Sequence, residues 1–198
     1  LDNRPLTLRR PHERALFRIQ SAITRCYGDY LREQGFTEFQ APKLVGGDAE
    51  GGAEVFKVGY FNEKMAYLAT SPQLYKQIMV GVFERVFSFA TAFRAEKSAT
   101  TRHLSEYTSL DMEMGFITDH TDLMRMETGL MRYITNYLKE NHTSDLVTLG
   151  MELPRIPEAA IFPHLKLREA QQLIKERTGV DKTNEPDLEP EDERWLCE

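Results

Sequence analysis

The segment RVFSFATAFRAEKSATTRHLSEYTSLDMEMGFI, residues 85–117, decides the fold because it contains two β-rich runs joined by a charged stretch. Residues 85–96 and 105–117 are rich in β-branched and aromatic side chains, which favour strands. The stretch FRAEKSATTRHLSE, residues 93–106, packs two arginines, a lysine, a histidine and two glutamates together. The segment therefore predicts a β-hairpin that carries both signs of charge where its strands meet the loop.

Alternation of side chains along a strand divides each run into two faces. Arg94 and Glu96 share one face of the first run. In the second run Asp111 and Glu113 lie opposite an apolar set, which consists of Leu110, Met112, Met114 and Phe116. If the runs pair, the four charged side chains meet on one side of the sheet and the core lies on the other. One interpretation is an exposed ladder of ion pairs, which would contribute little to stability. The alternative is a pocket for a ligand that carries both a positive and a negative charge.

The remaining pattern adds helices and short extended segments around this hairpin. Apolar side chains at helical spacing predict helices over residues 11–34, 71–83, 118–140 and 164–179, with Pro11 and Pro72 in first turns and Ser71 as a cap. Extended segments are predicted at 36–45 and 65–70, a glycine-rich mobile loop at 46–56, and an acidic connector at 181–193. The order of elements predicts the α+β class with an antiparallel sheet.

Composition bounds the class of protein. The 198 residues are 41% hydrophobic, enough for one globular domain with its own core, and no apolar run approaches the ~20 residues of a membrane span. The first residues do not resemble a secretory signal, so we expect a cytoplasmic protein with no membrane partner. Cys26 and Cys197 are too far apart to indicate a metal cluster or a disulfide framework. The net charge of −6 argues against a broad nucleic-acid surface, although a local basic patch is compatible with it.

Gln73 and Lys76 are three residues apart and therefore lie on one face of the helix predicted at 71–83. An amide and an ammonium at this spacing can bind a small polar ligand. Taken alone, the two side chains fit an ordinary solvated helix face better. Glu50 in the glycine-rich loop is also a weak signal by itself, because the loop has no phosphate-binding pattern.

Four stretches, taken in order, resemble the catalytic domain of class II aminoacyl-tRNA synthetases of the archaeal and eukaryotic aspartyl type. QGFTEFQAPKL at 34–44 resembles motif 1, AEGGAEVF at 49–56 the flipping loop, YLATSPQLYKQ at 67–77 the aspartate-recognition helix, and FRAEKSATTRHLSEYTSLDMEM at 93–114 motif 2. The resemblance covers nearly the whole chain. It implies an antiparallel sheet flanked by helices and a homodimer formed through motif 1, in which Pro42 is structural.

The resemblance also implies an activity in protein biosynthesis. L-Aspartate would react with ATP in the presence of Mg²⁺ to give aspartyl-adenylate and pyrophosphate, and the aspartyl group would pass to tRNA(Asp), with tRNA(Asn) as a second candidate acceptor. Arg94 is the catalytic residue implied, because a fixed guanidinium neutralises the two anions that must approach each other. Lys76 would pair with the side-chain carboxylate of aspartate and so set the specificity.

Further roles follow from the same resemblance. The ATP site would comprise Arg94, Ala95, Glu96, Arg102, His103, Leu104 and Tyr107, with Glu96 on the adenine amino group, Arg102 and His103 on the outer phosphates and Tyr107 stacked on adenine. The aspartate site would comprise Glu50, Gln73, Leu74, Tyr75, Lys76, Arg94 and Asp111, with Asp111 near the α-ammonium and Glu50 on a closing loop. Ala99 stands where relatives often have Asn, which puts the tRNA contact of the motif 2 loop in doubt.

Residues 1–198 are expected to be the part of the catalytic domain that holds motifs 1 and 2. The motif 3 region, with its second ATP-binding arginine and the metal ligands, and the anticodon-binding OB-fold are expected outside this chain, so this fragment alone would be inactive. Two alternatives stay open. One is a synthetase-like paralogue, related to asparaginyl-tRNA synthetase or making asparagine. The other is a non-catalytic dimerisation or regulatory module.

Overall fold

The computed structural model describes residues 3–47, 54–95, 104–159 and 161–197. The chain divides into two compact units, Leu1–Ile161 and Phe162–Glu198. The assignment of all 198 residues to one synthetase catalytic domain stays a prediction.

The helices of the first unit are α1 (Arg4–Thr7), α2 (Pro11–Glu33), α3 (Gln73–Phe83), α4 (His120–Asn141) and α5 (Thr143–Leu149), and those of the second are α6 (Leu167–Thr178) and α7 (Pro190–Leu196). The predicted helices α2, α3, α4 and α6 are all present within three residues of their expected starts. Within the described ranges, no helix combines the length and the apolar character needed to cross a membrane.

Two three-stranded sheets complete the first unit. The strands are β1 (Thr37–Glu38), β2 (Leu44–Val45), β3 (Lys57–Gly59), β4 (Met65–Leu68), β5 (Arg85–Phe93) and β6 (Glu106–Met114). One sheet has the order β1-β5-β6 and the other β2-β4-β3. The predicted hairpin is confirmed, because β5 and β6 pair antiparallel, with Ser88 opposite Asp111. The α+β class is confirmed as well.

One strand pair departs from the expected antiparallel sheet. Thr37 and Glu38 of β1 pair with Val86 and Phe87 of β5 in parallel. A parallel pair needs a long crossover between its strands, and here the crossover contains the whole second sheet and α3. The sheet β1-β5-β6 is therefore mixed at its β1 edge.

The main core lies on one face of β5 and β6, where α2 and α4 pack. Leu31 and Phe87 are fully buried there, together with Tyr27, Met126 and Leu130. The aromatic rings of Tyr27, Phe87 and Phe89 meet edge to face with centroids 5.7–6.0 Å apart. Such edge-to-face packing fixes the hairpin on α2.

A second apolar cluster lies on the opposite face of the hairpin. Phe39, Ala41 and Val86 are buried there, with Tyr75, Met79 and Val80 of α3 packed against them. The expectation that only one face of the hairpin is core is therefore wrong. Helix α3 covers the charged face of the sheet. This cover determines the solvent exposure of the charged side chains on that face.

Helix termini differ from expectation at two places. Ser71 was expected to cap α3, but Pro72 is the residue before the first helical turn, and Ser71 Oγ instead accepts a hydrogen bond from the Gln73 amide at 3.1 Å. The prediction of an irregular acidic connector at 181–193 is wrong for its second half, because helix α7 begins at Pro190. Its amino end is closed by Glu189 and Asp192 in a capping box.

Candidate active site

The most buried charge of the hairpin face is the ammonium of Lys76, which α3 directs down onto β6. Its Nζ lies 3.1 Å from Asp111 Oδ1 and 3.5 Å from Glu113 Oε2. Asp111 and Glu113 are two residues apart on one strand, so both point to the same side. Lys76 is only 8% exposed. Sequence reasoning placed Asp111 and Glu113 on one strand face and Lys76 separately on the helix predicted at 71–83, and the structure brings the three side chains into contact.

Burial gives this cluster its chemical character. A charged group withdrawn from water is tolerated only when paired, because desolvation of an isolated ion costs far more than a hydrogen bond returns. Lys76 has three N–H donors, and its carboxylate neighbours among the described residues are Asp111 and Glu113. One donor direction therefore remains for a ligand atom. The site can accept a carboxylate at Lys76 and an ammonium at the acidic pair.

Lys43 is a further cation near Asp111 that sequence reasoning did not assign. Burial lowers the pKa of Lys43, and the negative charge of Asp111 opposes this shift. The Lys43 carbonyl accepts a hydrogen bond from the Ala69 amide at 2.9 Å, which ties this segment to the end of β4. The available signal was a lysine inside an otherwise apolar extended stretch, which was instead attributed to motif 1 and a structural role.

Arg94 lies on the same face as Asp111 but at the other end of the hairpin. Its amide bonds to the Ser105 carbonyl at 3.0 Å, which continues the β5–β6 register beyond the last strand pair. Ser88 faces Asp111 in this register, so Arg94 is displaced from that pair by about 20 Å along the strand, at ~3.3 Å per residue. The expectation that Arg94 and the acidic pair lie on one side of the sheet is confirmed, with Arg94 far from the pair along the strand. The face is shared, but its charges form two separate groups.

The group around Arg94 contains an aromatic ring. The guanidinium carbon lies 5.9 Å from the centroid of the Tyr107 ring, within cation–π range. The Ala95 amide bonds to the Glu54 carbonyl at 2.8 Å, and this bond holds the end of the glycine-rich segment against the hairpin. Leu104 is 56% exposed at the start of the returning strand. Arg94, Ala95, Leu104 and Tyr107 thus border the loop end of the hairpin.

The first turn of α3 contributes a cavity of about 300 Å³ beside the glycine-rich segment. Leu74 and Tyr75 line it together with Gly46, Gly47 and Ser71. Leu74 is half exposed, whereas Tyr75 also packs against the apolar cluster beneath α3. Gln73 is the first residue of the helix. Their roles in aspartate binding stay predictions, and the packing of Tyr75 gives it a structural role in addition.

Four of the predicted site residues lie outside the described residues: Glu50, Glu96, Arg102 and His103. Their assigned roles on the closing loop, the adenine and the outer phosphates stay predictions. In the described ranges, no group of three His, Cys, Asp or Glu side chains is arranged to hold a metal ion.

Comparison with known proteins places this geometry in a family. The family model described as tRNA synthetases class II (D, K and N) matches residues 1–198. The chain is 46% identical over 198 residues to the aspartate–tRNA(Asp/Asn) ligase of Deinococcus radiodurans, covering 100% of this chain and 45% of the relative. It is 40% identical over 199 residues to the cytoplasmic aspartate–tRNA ligase of Homo sapiens, covering 99% of this chain and 39% of the relative.

A solved structure shows the same fold. The asparaginyl-tRNA synthetase of Pyrococcus horikoshii, complexed with asparaginyl-adenylate, superposes with a TM-score of 0.83 at 32% identity over 98% of this chain and 44% of that chain. The present chain thus spans less than half the length of the relatives it matches. Because the family model covers every residue, this chain belongs to the class II tRNA synthetases of the D, K and N group.

Proposed function

We propose that the complete polypeptide containing this chain is an aspartate–tRNA ligase. It activates L-aspartate with ATP, releases pyrophosphate, and transfers the aspartyl group from the adenylate to the 3′ end of tRNA(Asp). The observation that carries this proposal is the buried Lys76 ammonium held between Asp111 and Glu113. The names of the two aspartate–tRNA ligases similar to this chain support the same substrate.

The charge pattern of the site matches the charge pattern of L-aspartate. The amino acid has one ammonium, which the acidic pair can accept, and a side-chain carboxylate, which Lys76 can accept. An uncharged amide in place of that carboxylate would leave the buried ammonium less well paired, at a cost of about 1–3 kcal/mol. Lys43 raises the local positive potential and favours a ligand with two carboxylates.

Activation of aspartate by ATP uses both groups of charged side chains on the hairpin face. The α-carboxylate oxygen attacks the α-phosphorus of ATP, a new O–P bond forms, and the bond to the β-phosphate bridging oxygen breaks as pyrophosphate leaves. Arg94 neutralises the approaching anions and the charge that develops on the α-phosphate. The ring of Tyr107 beside Arg94 offers a surface for adenine. Mg²⁺ is expected by resemblance to the family, and it would neutralise charge on the phosphates of ATP.

Three parts of the proposal concern the whole protein. A homodimer through motif 1, in the cytoplasm, is expected by resemblance to the family. The acceptor is tRNA(Asp), and tRNA(Asn) is a second acceptor suggested by the name of the Deinococcus radiodurans relative. Charging assays with each tRNA separate these two specificities.

Asparagine is a second candidate substrate. The amide oxygen of asparagine can still accept from the third N–H of Lys76, although it pairs with the ammonium less well than a carboxylate does. The superposition on an asparaginyl-tRNA synthetase also supports this alternative. The two substrates differ in one group only, and a direct comparison of their activation decides between them.

The test is amino-acid-dependent exchange of labelled pyrophosphate into ATP by the complete polypeptide with Mg²⁺. Aspartate, asparagine and lysine are assayed in parallel, with Arg94→Ala as the inactivated variant and the exposed Arg155→Ala as its matched control. We expect exchange with aspartate alone, reduced about 100-fold or more in Arg94→Ala, the loss expected for a group that stabilises transition-state charge, and unchanged in Arg155→Ala.

Two outcomes would contradict the proposal. Exchange with asparagine and not with aspartate would assign the second candidate. Exchange with none of the three amino acids, from a protein with a cooperative thermal transition, would favour the non-catalytic dimerisation or regulatory module.

A further inference from the structure

Ser88 lies on β5, beside the Asp111 carboxylate of the candidate site, and is fully buried. It faces Asp111 directly across the β5–β6 pair. The Cβ atoms of directly opposed residues in an antiparallel pair are about 4.5–5.5 Å apart and point to the same side. The hydroxyl of Ser88 and the carboxylate of Asp111 are therefore neighbours on the face that α3 covers.

Both side chains have a buried oxygen without a hydrogen-bond partner in the part of the chain that the structure describes. These atoms are Ser88 Oγ and Asp111 Oδ2. The other carboxylate oxygen, Oδ1, accepts from Lys76 Nζ. Buried polar atoms in folded proteins are almost always bonded to protein or to ordered water. The two residues are directly opposed but these atoms do not bond to each other in this structure, so one enclosed water between them would satisfy both.

The chemistry of the two groups allows one arrangement. A hydroxyl can donate and accept, whereas an ionised carboxylate only accepts. The neighbours of Ser88 on the same face of β5, Val86 and Ala90, are buried and apolar, so they offer no competing side-chain acceptor. A single enclosed water could join the pair where direct contact falls short, because it finds two polar partners there.

We propose that Ser88 is a positioning residue of the amino-acid subsite. Its hydroxyl donates through one enclosed water to Asp111 Oδ2 and so fixes the rotation of the carboxylate. Oδ1 then holds the Lys76 ammonium at the position where the amino-acid substrate is bound. This inference rests on the proposed function of Lys76 and Asp111, and it predicts an effect on the amino acid that does not extend to ATP.

The test measures KM for L-aspartate and for ATP separately by pyrophosphate exchange with the complete polypeptide. Ser88→Ala should raise KM for aspartate about tenfold, as for loss of one hydrogen bond to a charged group, and change KM for ATP by less than about twofold. Ser88→Cys places a slightly larger thiol, which is a weak donor, at the same position. Its KM for aspartate should therefore lie between those of the wild type and Ser88→Ala. Thr108→Ala is the matched control, because it removes an exposed hydroxyl from the paired strand β6, on the opposite face of the hairpin.

Coupling to Asp111 separates positioning from simple packing. In an Asp111→Ala background the serine hydroxyl has no carboxylate to orient, so Ser88→Ala should raise KM for aspartate no further. Additive effects of the two changes would overturn the inference. Thermal denaturation of each variant identifies any loss of fold.

The outcomes also distinguish the inference from the function on which it rests. A wild-type polypeptide without aspartate-dependent exchange overturns the proposed function, and the role of Ser88 with it. A wild-type polypeptide that is active, with Ser88→Ala unchanged in KM for aspartate, overturns the Ser88 inference alone. Equal increases of KM for aspartate and ATP would likewise reject it, since they would indicate general distortion of the sheet.

Discussion

Two largely buried aspartates in the first unit are paired with cations in different ways. Asp145 of α5 accepts from Arg18 Nε at 2.9 and 3.0 Å, so both of its oxygens are bound, and Oδ2 also lies 3.1 Å from His142 Nδ1. Asp111 of β6 binds Lys76 through one oxygen and leaves the other without a partner among the described residues. Asp145 therefore has a complete hydrogen-bond network, and Asp111 an incomplete one.

The difference separates a structural network from a binding site. Arg18, Asp145 and His142 connect α2 to α5, and a planar guanidinium holds the carboxylate in a fixed geometry. The hydrogen bond from Arg18, followed by the contact with His142, lowers the pKa of Asp145 from 3.8 to about 2. A satisfied network of this kind stabilises one conformation. Beyond the Lys76 contact and the Ser88 contact inferred above, Lys76 keeps a further N–H and Asp111 keeps further lone pairs for a substrate, and such open capacity is expected where function overrides packing.

The largest expected effect is that of Lys76→Met, which breaks the incomplete network. Removal of the ammonium leaves Asp111 and Glu113 as partly buried carboxylates with no bound cation between them. We expect kcat/KM for aspartate in pyrophosphate exchange to fall about 100-fold or more. The exposed Lys139→Met on α4 is the control and should retain wild-type activity. Retained activity in Lys76→Met would show that the buried cation does not contact the substrate.

The next largest effects are expected from two substitutions that each remove one aspartate charge, Asp111→Asn from the incomplete network and Asp145→Asn from the complete one. Asp111→Asn should raise KM for aspartate about tenfold or more with a small change in melting temperature. Asp145→Asn should lower the melting temperature by several degrees and leave KM for aspartate within about twofold, since it lies on the α2–α5 contact. Calorimetry and exchange kinetics on both variants check this. The same response of both variants in both measurements would abolish the distinction between the networks.

Sequence patterns predicted the parts of the fold that are local. The hairpin and the long helices α2, α4 and α6 followed from strand alternation and helical spacing, which are properties of contiguous residues. The helices α5 and α7 are only seven residues long and show no full amphipathic period, so they were missed. The parallel pairing of β1 was missed because a strand of two residues has no periodicity.

The candidate site was predictable to the extent that its residues share a strand face or match a family motif. Asp111 met both conditions, and Lys76 met the second. Ser88 shares the strand face of Arg94 by alternation, but its proximity to Asp111 depends on the exact register of the hairpin, which the intervening loop does not determine. The contact between Arg18 and Asp145 spans 127 positions along the chain. No local pattern encodes such a pair, so only the fold reveals it.

A third prediction uses pH to isolate the Asp145 network. The folded-state pKa of about 2 lies below the ordinary value of 3.8, so the folded state binds this proton more weakly than the unfolded state does. The stabilisation is therefore complete above the ordinary pKa and is lost as pH falls toward about 2. Urea unfolding across this range should show the wild type losing stability faster than Asp145→Asn as pH falls. Parallel curves would show that Asp145 is not held by Arg18 in solution.

The smallest expected effect is that of Arg18→Lys, which keeps the charge but removes the guanidinium. Arg18 donates to Asp145 through more than one nitrogen, and an ammonium cannot reproduce that geometry. Because the opposite charge remains, the melting temperature should fall by less than in Asp145→Asn. Arg25→Lys is the matched control on the same helix, since its pair with Asp29 is exposed and should contribute nothing measurable. A decrease in Arg25→Lys as large as that in Arg18→Lys would show that charge along α2, and not the completed network around Asp145, stabilises this contact.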